Sequence, residues 1–306
     1  MIAGAFAAFA GGAYMLKERL AQDTSAVDKA LKELFRPEAA VPAHLQEVMA
    51  YSVMAGGKRL RPALVLETCR AFGGKQEEAM PFACAIELIH TYSLIHDDLP
   101  CIDNDTMRRG RPTSHVAFDE RRALLAGDAL LSYAFEVMLS GALKSDEPKR
   151  ALAACADIAH AAGIRGMVAG QWQDVLSEGK QITPEELDYI HEHKTADMIR
   201  GAVLAGAHIA GAPEEALERF DEYARLIGVA FQITDDILDV TGDAKKLGKN
   251  TGSDANDGKV TYVTLYGLEK ARDIAREMTA RAAELVGDAA DGFFRELAYF
   301  ITARDN

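Results

Sequence analysis

Residues 16–34 read LKERLAQDTSAVDKALKEL, and Leu16, Leu20, Val27, Leu31 and Leu34 fall at spacings of three, four and seven. That is the apolar stripe of an amphipathic helix. Working outward, the stretches 43–55, 77–98, 118–143, 184–209, 213–240 and 260–285 repeat the pattern. No run alternates with period two between turn residues, so strands are not expected. Loops are marked at 36–42, 73–74, 110–114, 145–148 and 247–258. Thr183-Pro-Glu-Glu predicts a helix start: a capping hydroxyl, proline in the first turn, then carboxylates facing the helix dipole. With no repeat, low-complexity tract or linker, the expectation is one all-α domain over residues 16–306. Residues 1–16 carry no charge and are rich in Ala, Gly and Phe. They are too short to span a bilayer and lack the positive start of a secretory signal. The expectation is a disordered extension or a start assigned too early over 1–15, with Met15 opening the helix.

Acidic side chains outnumber basic ones 47 to 34, a formal net charge of −13 that repels polyanions and argues against nucleic-acid binding. Cys69, Cys84, Cys101 and Cys155 show no metal or redox spacing, so a reducing cytoplasm and small buried hydrophobes are expected.

Two acidic clusters carry the chemistry. The first is Asp97-Asp98-Leu-Pro-Cys-Ile-Asp103, followed by Asn104 and Asp105; the second is Asp235-Asp236-Ile-Leu-Asp239. Each emerges from an apolar helical stretch. Asp235 and Asp239 share a helix face about 6 Å apart along the axis. Asp97 and Asp103 are six apart, and Pro100 is placed to break the helix and return Asp103 beside Asp97. Carboxylates this close repel unless a cation joins them. An oxygen-only donor set selects a hard ion, and magnesium takes one or two carboxylates beside water and phosphate.

The complement is basic. Gly56-Gly57-Lys58-Arg59-Leu60-Arg61-Pro62 places three cations at a glycine turn, Arg108 and Arg109 follow the first cluster, and Lys249 and Lys259 follow the second. Arginine forks and lysine point charges suit phosphate oxygens, although the glycine turn is not a Walker loop.

These residues resemble the trans-isoprenyl diphosphate synthases, from Met15 to the end of the chain. The resemblance is carried by 57–62, the first aspartate motif with Arg108-Arg109, His193-Lys194-Thr195, Phe231-Gln232, the second motif, and Lys249 with Lys259. The stretch 89–100, with two extra residues inside the first motif, is closest to bacterial farnesyl diphosphate synthases and their geranylgeranyl relatives. The resemblance implies an all-α bundle of ten or more helices around a central substrate cavity, and a homodimer without membrane insertion. It implies three magnesium ions, with Asp97 and Asp103 binding two, Asp235 a third, and Asp98, Asp236 and Asp239 in support. Arg108, Lys194, Gln232, Lys249 and Lys259 would grip the allylic diphosphate, while Lys58, Arg61, His90 and Arg109 would hold isopentenyl diphosphate. Thr195 and Gln232 would face the carbocation. Tyr92, five residues before Asp97, and Ser93 would set product length. Read without the family, His90 is a core histidine and Tyr92 a core aromatic. Asn250 and Val263 stand where relatives carry prolines.

The implied reaction condenses isopentenyl diphosphate with dimethylallyl and geranyl diphosphate, giving mainly farnesyl diphosphate. Geranylgeranyl diphosphate synthesis is the alternative. A terpene cyclase would not need Lys58, Arg61 and Arg109 for a second diphosphate, and a phosphohydrolase leaves the 58–61 turn unexplained. A non-catalytic partner subunit would be expected to lose motif aspartates, and none is missing.

Overall fold

The chain is described by a computed structural model over residues 2–242 and 259–303, with side chains from Tyr14 onward. Lys249 and Asn250 lie outside these residues. Helices follow one another with short turns: α1 (Ile2–Leu34), α2 (Ala43–Val53), α3 (Leu60–Ala71), α4 (Gln76–Asp97), α5 (Ser114–Ala117), α6 (Glu120–Lys144), α7 (Pro148–Ala162), α8 (Met167–Ser177) and α9 (Pro184–Ile190). A wider π-helical turn (His191–Ala196) leads into α10 (Asp197–Ala210), then α11 (Glu214–Thr241), α12 (Tyr262–Tyr266), α13 (Leu268–Val286) and α14 (Phe293–Thr302). Among the described residues the only strands are β1 (Met107–Arg108) and β2 (Arg111–Pro112), an antiparallel hairpin. The expected all-α bundle is what the chain forms.

The 16–34 stripe faces the core as predicted, with Leu16, Val27 and Leu31 buried. At the centre, α4 packs on α6, α3 and α10, while α11 packs on α13 and α10. Phe82, Ile86 and Ile89 of α4 and Leu130 and Met138 of α6 are fully buried, each contributing about 1.5–3 kcal/mol of apolar burial. Two glycines permit close helix crossings. A Cβ at Gly206 of α10 would stand 2.3 Å from the Val65 carbonyl oxygen of α3, and one at Gly228 of α11 would stand 2.5 Å from the Ala196 Cα. Larger residues would push these pairs apart.

Several boundaries differ from the sequence reading. α1 opens at Ile2 rather than Met15. The predicted 184–209 helix is three pieces, because the π-helical turn interrupts it. The 260–285 stretch divides at Gly267, whose φ of 81° no side-chain-bearing residue adopts readily. α3, α7, α8 and α14 were not anticipated, and α3 begins at the basic turn itself. The Thr183 cap forms in full: the Glu186 amide donates to its hydroxyl, and its own amide donates to the Glu186 carboxylate.

By length and composition, α6 and the run from Pro148 to Ser177 are apolar enough to cross a membrane. Each instead buries part of its surface in the bundle and leaves an apolar face outward, including Leu125, Leu143, Leu152 and Ile164.

Candidate active site

The two acidic motifs end α4 and occupy the last turns of α11, and they converge on one cavity. Asp97 is the last residue of α4. The chain then curls through Pro100, and the Asp103 amide donates to the Asp97 carbonyl oxygen at 2.8 Å. Asp103 is thus brought back beside Asp97, as the proline predicted. Asp97 and Asp235 both line a cavity of about 590 Å³, and Arg61, His90, Tyr92, Ser93, Lys194, Thr195 and Gln232 share its wall. Asp235 also opens on a neighbouring polar pocket with Lys194, Thr195, Gln232, Asp236 and Lys259. Lys259 Nζ lies 3.9 Å from Asp103 Oδ1, linking the two clusters. Below the acidic end the main cavity is apolar, walled by Ile102, Met167, Val168, Trp172, Val175 and Phe231.

Electrostatics here favour a multiply charged ligand. Burial first, then the Asp103 charge, pushes the Asp97 carboxyl up to about 6, against the pull of Lys194. A hard cation at these oxygens would relieve that crowding, and carboxylate oxygens are the donors magnesium takes, although among the described residues no three acidic side chains stand close enough together to form a ready-made metal site. Arg61 Nη1 lies 3.5 Å from His90 Nε2, and among the described residues its buried Nε has no hydrogen-bond partner. Burial lowers the Arg61 pKa, with Glu87 opposing. His90 is held neutral, far below its ordinary value, by burial and then by Arg61, Arg109, Arg108 and Arg59. A guanidinium with an unused donor beside a neutral imidazole is suited to accept an anion.

Other motif residues turn inward. Asp98 is buried and receives Arg108 Nε at 2.7 and 2.9 Å, and Arg108 also reaches Asp105 at 3.2 Å. Asp236 accepts the Tyr262 amide at 3.0 Å and the Gln232 amide at 3.4 Å, with His191 Nε2 at 3.7 Å. Thr195 Oγ1 donates to Gln232 Oε1 at 3.0 Å. Asp239 is buried and lies off the walls of both cavities. Arg59, in the left-handed region at φ 46°, is 3% exposed and bonds Asp28, Glu87 and the Val53 carbonyl. This inward turn of Arg59 separates it from its neighbours in the basic run. Arg109 donates to the Gly56 carbonyl and packs where a Gly57 Cβ would stand 2.8 Å from its guanidinium carbon. Lys58 lines a separate groove along α1.

The sequence reading missed Asp174 of α8, which takes Lys194 Nζ at 2.5 Å and is held below the ordinary carboxylate range mainly by that lysine, despite burial. An isolated aspartate gives no signal of such a pairing. Its cause is Gly170, whose Cβ would stand 2.1 Å from the Lys194 amide nitrogen, so only glycine lets α8 meet that turn.

The polyprenyl synthetase profile matches residues 42–291. The chain belongs to the polyprenyl synthetase family. It is 48% identical over 269 residues to the farnesyl diphosphate synthase of Geobacillus stearothermophilus, covering 87% of this chain and 90% of that one. It is 46% identical over 273 residues to the large subunit 1 of the heterodimeric chloroplastic geranylgeranyl pyrophosphate synthase of Arabidopsis thaliana, covering 87% and 73%. The geranyltransferase of Helicobacter pylori, solved with magnesium and isoprenyl diphosphate, superposes with a TM-score of 0.81 at 33% identity, covering 92% of this chain and 94% of that one. This polyprenyl synthetase is a trans-isoprenyl diphosphate synthase, and its activity is prenyl transfer.

Proposed function

We propose that the enzyme condenses isopentenyl diphosphate with dimethylallyl and then geranyl diphosphate, and releases mainly farnesyl diphosphate. The observation that carries this reading is the convergence of Asp97 and Asp235 with Lys194 and the unpartnered Arg61 Nε on one cavity that continues into an apolar pocket. An allylic diphosphate fits with its head among the carboxylates and Lys194 and its tail along Val168, Val175 and Phe231. Arg61 and His90, on the cavity wall, hold isopentenyl diphosphate, while Arg109 lines a second pocket beside Arg108 and Lys58 lines the groove along α1. Asp97, Asp103 and Asp235 hold magnesium, three ions in all, with Asp236 steadying Gln232 and Asp98 steadying Arg108. When bound, the metal neutralises charge developing on the leaving diphosphate. The chain's own share is positional. Lys194, fixed by Asp174, supplies a cation at the leaving group; Thr195 and Gln232 turn oxygen toward the allylic carbons; and the apolar wall keeps out water that would quench the cation.

Sequence identity is nearly equal to farnesyl and geranylgeranyl synthases, so the farnesyl reading rests on Tyr92. That ring lines the cavity, is 6% exposed, and meets His96 edge-on at 5.6 Å between centroids. His96 in turn fills the space left by Gly127 of α6, where a Cβ would fall 2.1 Å from its Nε2. Tyr92 is therefore backed rather than loose, as a floor requires. The outward apolar side chains of α6, α7 and α8 support burial against a second copy, a cytoplasmic homodimer without membrane insertion. The test is product analysis with dimethylallyl, geranyl and farnesyl diphosphate as starters. A main product of fifteen carbons supports the reading, and twenty carbons overturns it.

A further inference from the structure

α8 runs along the main cavity from its polar head to its apolar floor. The C-terminal end of the helix carries Asp174, Ser177 and Glu178 into the polar pocket, whereas Met167 and Val168 at the N-terminal end line the apolar cavity alone. Val168, Trp172 and Val175, at spacings of four and three, form one apolar helix face. All three line the cavity and all three are exposed, Trp172 to 69%. Among the described residues the Trp172 indole makes no hydrogen bond and stacks on no other ring. A lone exposed apolar side chain is ordinary, but a contiguous row along a cavity wall marks a surface that a ligand covers. Helix geometry sets the level of the indole. Trp172 lies two residues before Asp174, which grips Lys194, and four residues after Val168, so about 3 Å and 6 Å away along the axis. Helical side chains lean toward the N-terminus, here toward the floor. One isoprene unit spans about 5 Å, so the first unit of an allylic tail ends near the Trp172 backbone and the second passes beneath its ring.

We propose that Trp172 is a specificity-determining residue whose indole closes over the second isoprene unit of the allylic tail, a unit that geranyl diphosphate has and dimethylallyl diphosphate lacks. The ten-carbon product of the first condensation is the starter of the second, so its affinity decides whether it is extended or released. Trp172 thereby retains the intermediate and carries the chain on to fifteen carbons. This inference rests on the reading that the allylic tail lies along α8. Covering about half of the exposed indole removes roughly 50–80 Å² of apolar surface from water, which is about 10- to 30-fold in affinity. The contact is the same before and during bond cleavage, so its effect falls on KM rather than kcat.

The test uses the full chain, in which Trp172 is the only tryptophan. Its emission is followed as geranyl or dimethylallyl thiodiphosphate, both unreactive, is added with magnesium. The geranyl analogue should shift the emission to the blue and shield the indole from acrylamide, while the dimethylallyl analogue leaves both readings nearly unchanged. In Trp172→Ala the KM for geranyl diphosphate should rise about 10- to 30-fold, with the KM for dimethylallyl diphosphate and both kcat values within about threefold. Ten-carbon product should then accumulate from a dimethylallyl starter, and Trp172→Phe should restore most of the geranyl affinity. Equal effects on both starters, or no effect on either, overturn the proposal. Emission that follows enzyme concentration and ignores ligand also overturns it, by assigning the ring to a contact between copies. Failure of both variants to fold overturns it as well, by making Trp172 a packing residue. A wild type that releases twenty carbons strikes the farnesyl reading instead, and the comparison of the two starters still decides the role of Trp172.

Discussion

Tyr92→Ala offers the sharpest check on product length. Tyr92 sits five residues before Asp97, about 7.5 Å back along α4. Removing its ring exposes the next side chains on that face, Leu88 and Ile89, which are fully buried. They lie four and three residues back, so the floor drops by about one turn, ~5.4 Å. One isoprene unit adds four chain carbons, and four bonds of ~1.5 Å project to about 5 Å. The step in the floor therefore matches one unit. The stability loss follows from the lost ring and its His96 contact: large aromatic truncations cost about 3–5 kcal/mol, and the edge-on pair about 0.5–1.5 kcal/mol of that. Opening the space into an existing cavity places the loss near the lower end. The assay extends labelled geranyl diphosphate with isopentenyl diphosphate and separates products by chain length, with circular dichroism confirming the helices. The expected main product is twenty carbons, with Leu88 and Ile89 stopping further growth. A folded, active variant that still stops at fifteen carbons would refute the floor argument.

Removing metal with a chelator should abolish turnover, and Asp97→Ala or Asp235→Ala should each lower kcat by at least about 100-fold with an unchanged helical spectrum; near-normal turnover in either would contradict the metal assignment. Arg59 and Arg61 should separate cleanly. Arg59→Met breaks a buried ion pair with Glu87 and should cost about 3–5 kcal/mol of stability, whereas Arg61→Ala should spare stability and raise the KM for isopentenyl diphosphate about 10- to 100-fold. Chemical denaturation and steady-state kinetics on the pair would expose any reversal. His208 Nδ1 lies 2.6 Å from Asp157, and that hydrogen bond raises the histidine pKa, opposed by burial and helped by Glu214. A raised histidine pKa gives stability that is present below the unfolded value near 6.5 and lost as pH rises through the folded value. His208→Gln should therefore destabilise more at pH 5.5 than at pH 8.5, and an equal shift in Tm at both would count against the pair.

Most of the long helices, and the meeting of the two acidic clusters at one cavity, were legible because both are written in spacing. Apolar stripes at three and four mark the buried face of α1 and α11, α4 is buried on every side from Phe82 to Ile89, and an acidic run at the end of such a stretch emerges at the edge of the core. Pro100 announced the curl that returns Asp103 to Asp97. The division of labour inside each motif was not legible, because residue identity does not record which way a side chain turns. Asp97 and Asp98 are adjacent, hence about 100° apart on a helix; one meets the cavity and the other is buried against Arg108. Asp235 and Asp236 repeat the division, the second holding Gln232 and the Tyr262 backbone. Arg59 and Arg61 do so among the cations. In each pair one charge lines the main cavity, and its neighbour is engaged within the protein: Asp98 with Arg108, Asp236 with Gln232 and the Tyr262 amide, Arg59 with Asp28 and Glu87. A motif of alternating jobs reads in sequence as a uniform run of like charges. The same reasoning explains why Gly170 and Asp174 went unread: their importance lies in the close approach of α8 to the Lys194 turn, a relation between distant segments that no local pattern expresses.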